Sequence, residues 1–126
     1  FSQNEKIYSE DKSLPEIMFV FDKISNYTND DSFKLSMEAE TNSCFLIFSD
    51  FIRVKLGENA EFIDYTFSEK RQRNEEDFQI TLTNGEHIIF TTEFEESLNI
   101  FWYKKDIVMR LHEIVYDPKE IKCFDF

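Results

Sequence analysis

The chain is short of the residues that punctuate or staple a backbone. It has 2 glycines, 2 prolines and 2 cysteines among 126 residues. Gly57 and Gly85 are too few and too far apart for a glycine-rich phosphate loop or a dinucleotide fingerprint. Cys44 and Cys123 form no Cys-x-x-Cys pair and no disulfide framework. The expectation is two buried, reduced thiols, with a single disulfide as the alternative. His87 and His112 stand in no metal-binding spacing. His87 sits beside a turn and reads as a solvent-facing strand residue. No apolar run nears the roughly 18 residues of a membrane span. No signal peptide is visible, although the chain opens at Phe1, so a removed leader stays open.

Positive charge is also scarce. There are 14 Lys and Arg against 26 Asp and Glu, a net of -12. Such a surface repels the phosphates of nucleic acids and anionic lipid headgroups. Neither a nucleic acid nor a membrane surface is therefore expected as a direct partner. A basic protein would be attracted and steered in.

What is present is an apolar payload. Apolar residues make up 41% of the chain, and 15 residues are Phe. A disordered polyanion lacks these, so the charge sits on a folded body. The length suits a single domain, 1–126.

Along the chain, residues 1–12 read as a polar lead-in. Ser13-Leu14-Pro15-Glu16 has the form of a helix start, with a cap, a first-turn proline and a Glu three residues on. Leu14, Ile17, Met18, Phe21 and Ile24 follow at helical spacing, which predicts a helix ending near Asn26. Phe33, Leu35, Met37 and Ala39 then alternate with polar residues, as in a strand with one wet face. Thr41-Asn42 reads as a turn. Cys44–Phe48 reads as a strand covered on both sides, interrupted at Ser49-Asp50. Ile52, Val54 and Leu56 alternate, as do Ile63, Tyr65 and Phe67. Residues 69–77 are almost all charged and read as a solvated loop or short exposed helix.

Phe78, Ile80 and Leu82 lead into Asn84-Gly85, followed by Ile88 and Phe90. That is a hairpin signal. A three-residue loop, Thr83-Asn84-Gly85, pairs Ile80 with Ile88 and Phe78 with Phe90. It gathers the apolar residues on one face and gives Gly85 the left-handed position. Leu98–Tyr103 is a further strand. Residues 107–116 fit both a strand and a helix, and the strand-and-turn rhythm favours the strand. The predicted fold is α+β: an N-terminal helix on a mainly meander antiparallel sheet of about six to eight strands.

No constellation here assigns a catalytic, cofactor-binding or metal-binding residue. The acids bunched in turns, Glu75, Glu76, Asp77, Glu93, Glu95 and Glu96, are candidates for a docking patch. Trp102 or Tyr103 is the candidate anchor, provided it is exposed. In size, charge and α+β character the chain resembles small bacterial immunity proteins, the inhibitors of nuclease toxins such as those of contact-dependent growth inhibition. The resemblance implies a cytoplasmic, non-enzymatic inhibitor that occludes the active site of a basic toxin domain. Two alternatives stand beside it: a DNA-mimic inhibitor of a host nuclease, and a small-molecule carrier with its strands closed into a barrel.

Overall fold

A computed structural model describes residues 15–92 and 97–115. Among them are eight strands: β1 (Ile17–Thr28), β2 (Leu35–Ile47), β3 (Phe51–Leu56), β4 (Ile63–Gln72), β5 (Asp77–Leu82), β6 (His87–Thr91), β7 (Asn99–Tyr103) and β8 (Ile107–Ile114). Each pairs antiparallel with the next, and β8 returns to pair with β1. The result is a closed up-and-down barrel, not an α+β fold.

The predicted N-terminal helix is strand β1. Phe19 and Phe21 face inward by the two-residue period. The ladder to β2 then shifts between Phe21 and Lys23, and Ile24, three residues after Phe21, again joins the core. A strand with one such irregularity produces the i, i+3 spacing of a helical stripe. The β-branched and aromatic content of Ile17–Thr28 suits a pleated surface better than a helix.

The same shift explains a second correction. Phe21 is opposite Ser43, while Lys23 is opposite Glu40, so Thr41 and Asn42 form a bulge inside β2 instead of a turn. Ser49-Asp50 is the β2–β3 turn, closed by the Phe48 amide donating to the Phe51 carbonyl at 2.9 Å. Within 69–77, the exposed turn 73–76 is the solvated loop expected, while β4 runs on to Gln72 and β5 begins at Asp77. This hairpin carries exposed, charged positions, and without an apolar face its period is invisible in the sequence.

The Asn-Gly hairpin has the expected register, Ile80 with Ile88 and Phe78 with Phe90. Gly85 takes φ +94°, and its amide donates to the Leu82 carbonyl at 2.9 Å. Residues 107–114 are a strand, as the rhythm favoured.

An eight-stranded barrel is just wide enough for side chains to fill, and these do. Phe45 on β2 meets Phe90 on β6 edge-to-face at 5.4 Å and Trp102 on β7 at 6.2 Å. Phe19 on β1 lies 6.3 Å from Phe90, and Tyr65 on β4 is 5.1 Å from Trp102. These contacts link strands that are not neighbours, so they cross the interior. Ile24, Ile52, Ile80, Ile88, Ile100 and Leu111 fill the space around them.

Part of the outer face is buried as well. Val20 and Cys44 form a small cluster with Phe62 and Val115. Outside β3 and β4, Arg53 forks onto Asp64 with two hydrogen bonds, 2.7 and 3.1 Å. Its guanidinium lies over the stacked rings of Phe48 and Phe51. The expectation of a reduced thiol at Cys44 is overturned, because Cys44 is disulfide-bonded. The chain's other cysteine, Cys123, lies outside the described residues.

A side chain at position 85 would meet nothing within 4 Å, so substitution there is opposed by backbone strain alone. Gly85→Val is expected to destabilise the barrel by about 1–2 kcal/mol, read as a lower urea midpoint at an unchanged slope. A wild-type midpoint in the variant would mean that the positive φ is not required.

Candidate functional site

The predicted contact residues do not converge. Glu75 and Glu76 are exposed in the β4–β5 turn. The Asn74 Oδ1 organises that turn by accepting the amides of Glu76 and Asp77, both at 2.8 Å. Asp77 is half-buried and belongs to the turn itself, with its Oδ2 accepting from the Asn74 side chain at 3.3 Å. Arg71 and Arg73 on the same hairpin temper its negative charge. Glu93, Glu95 and Glu96 lie outside the described residues. Trp102 is no surface anchor, because it is wholly buried in the barrel. Tyr103 is 36% exposed. It sits four rungs from the level of Asp77, roughly 13 Å along the strands and toward the opposite end.

The structure assembles two polar constellations that the sequence did not reveal. The first lies where the barrel closes. Ser25 on β1 stands between Glu38 on β2 and His112 on β8. Its hydroxyl is 3.0 Å from the Glu38 Oε2 and 2.8 Å from the His112 Nε2. Lys23 reaches Glu38 at 3.3 Å and Glu113 at 3.6 Å. A Ser–His contact suggests nucleophilic catalysis, but the polarity is wrong. An ionised Glu38 only accepts, so Ser25 donates to it. The His112 Nε2 must then carry the hydrogen and donate to Ser25. The imidazole therefore holds the hydroxyl in place and cannot take its proton, and Ser25 is completely buried. No sequence signal pointed to this group, because it depends on the register of three strands.

The second constellation occupies one mouth of the barrel. Period two continues past the strand ends there: Glu86 precedes Ile88 by two residues, and Lys104 follows Trp102 by two. The Trp102 Nε1 donates to the Glu86 Oε1 at 2.8 Å, and the Lys104 Nζ lies 4.7 Å from the centre of the Trp102 ring. Tyr65 closes the edge of the ring. Its hydroxyl is pushed above the usual tyrosine range, first by burial and then by the Glu86 charge. Extending the alternation by one step at each strand end would have flagged both Glu86 and Lys104.

Among the described residues no group of three or more His, Cys, Asp or Glu is placed to hold a metal ion, and no helix is long and apolar enough to cross a membrane. Comparison with protein-family models, curated proteins and solved structures found no match.

Burial holds the His112 imidazole below its ordinary range, and the nearby Arg110 charge adds to this. Lys23 lowers it further, while Glu113 and Glu38 oppose the shift. The folded state thus binds the proton less readily than the unfolded chain. This residue's contribution to stability is complete above about pH 6.5 and is lost as pH falls from there through the folded value. His112→Gln keeps an N–H donor without the titration. It should flatten the decline in urea midpoint between about pH 7.5 and 5, a window above the carboxylates Asp30 and Glu38, which are held low. An unchanged decline in the variant would remove His112 as its cause.

Proposed function

We propose that the protein is a binding module that captures a basic protein and blocks it, as toxin immunity proteins do, with a nuclease-type toxin domain as the partner. One observation carries this reading: the interior is filled with apolar side chains, while the negative charge lies outside. Of the acids among the described residues, only Asp64 is buried, and it faces Arg53. The other described acids thus give a surface field that attracts cationic surfaces and speeds encounter. Nuclease sites are basic because they hold phosphate, so an acidic exterior competes for them directly. The carrier reading gains a barrel but is only weakly supported, because rings crossing the interior occupy the space a ligand would need.

The disulfide at Cys44 supports capture in an oxidising compartment rather than in the cytoplasm expected from the sequence.

The test is affinity capture of basic proteins from the native source at about 0.15 M salt, followed by rescue of cells expressing the captured partner. A basic protein should bind, and its toxicity should be relieved. If no basic protein is retained, the reading is wrong. With a partner in hand, Glu75→Lys combined with Glu76→Lys should slow association roughly tenfold and leave dissociation nearly unchanged, because exposed charges act on encounter. Equal association rates would place the contact away from this hairpin.

A further inference from the structure

The mouth bearing Glu86 and Lys104 is lined in part by exposed apolar side chains of the described residues. Two residues there face inward yet remain exposed. Met37 lies opposite Asn26, which itself lies opposite the core residue Met109, and Met37 is 42% exposed. Ile63 lies opposite the core residue Val54 and is 48% exposed.

The floor of this mouth is built for positive charge. The face of a Trp ring is the strongest aromatic cation acceptor, and here it already holds one cation, the Lys104 ammonium. Tyr65 stands edge-on to the same ring at 5.1 Å. Glu86 is fixed by its single hydrogen bond to the indole. Among the described residues, neither Glu86 nor Lys104 forms an ion pair. The carboxylate and the ammonium thus meet the same indole from different sides without closing into a direct ion pair.

We propose that this mouth binds a compact alkylammonium group, and that Lys104 is the resident cation it displaces, the Trp102 ring being wholly covered until the lysine side chain swings away. An incoming ammonium gains both the ring and Glu86, whereas Lys104 on its short turn holds only the ring. The proposal deepens the binding function above, since a lysine of a basic partner presents this chemistry. A free quaternary amine presents it equally.

Trp102 is the only tryptophan in the chain, so its fluorescence reports on the site. The probes are choline, N-acetyl-lysine methylamide and 3,3-dimethylbutan-1-ol, the last a neutral isostere of choline, all at constant ionic strength. Either cation should give a saturable change, and the alcohol should give none. Lys104→Met frees the ring and should tighten cation binding about threefold or more. Glu86→Gln should weaken it about tenfold. Tighter choline binding assigns the site to a free amine, and tighter lysine binding assigns it to a protein side chain. The proposal fails if the alcohol binds as well as choline, or if Lys104→Met shows no saturable response to either cation. Lys104 lies in a surface turn, so this variant decides the matter even if Glu86→Gln does not fold. Choline binding without capture of any basic protein would keep the mouth site and remove the partner reading.

Discussion

The ladder that joins β1 to β8, from Phe21 opposite Ile114 to Thr28 opposite Ile107, holds the rest of the structure in place. It turns a meander with two free edges into a closed wall. Closure sets the circumference, and the circumference sets how far each inward ring reaches. With eight strands that reach suits aromatic side chains, so Phe45, Phe90 and Trp102 meet in the middle. The same ladder brings His112 to Ser25 while β2 brings Glu38 from the other side. A polar network spanning three strands thus lies over the seam where the first and last strands meet.

Closure is not complete along the whole height of the barrel. β3 pairs only with Ser43–Ile47 of β2, so Leu35–Asn42 extends beyond it with β1 as its one strand partner among the described residues. An overhanging edge of this kind invites pairing with other chains. This one is blunted by two register shifts against β1 and by Glu38 and Glu40. Phe33 is stacked on Tyr27 at 4.5 Å, which ties the hairpin tip to its own strand. The bulges that disguised β1 and β2 in the sequence therefore also keep the overhang from becoming a template.

The two mouths differ in chemistry. One carries the hairpin turn with Glu75 and Glu76, which follow Arg71 and Arg73. At the other, a carboxylate and an ammonium sit over a buried indole. An acidic exterior acts at long range and without much selectivity. The buried indole with one hydrogen-bonded carboxylate offers interactions only at contact distance. In this barrel the two kinds of surface lie at different places.

Much of this was determined locally, by the sequence itself. Two-residue alternation in Ile52–Leu56, Ile63–Phe67 and Phe78–Leu82, together with Asn84-Gly85, specifies strands, a turn type and the Phe78–Phe90 register, because each depends on neighbours a few residues away. The acidity and the apolar payload are equally a matter of composition. Four features were decided only by tertiary structure. Phe21 and Ile24 share one face because β1 pairs with β2 across a bulge, and from spacing alone that pattern cannot be told from a helix. Trp102 is buried, not presented, because closing β8 onto β1 wraps the sheet around it. Ser25, Glu38 and His112 meet, and Glu86 and Lys104 converge over one ring, because separate strands bring them to the same level. Such juxtapositions depend on register between distant segments, and no local pattern in a single sequence encodes them.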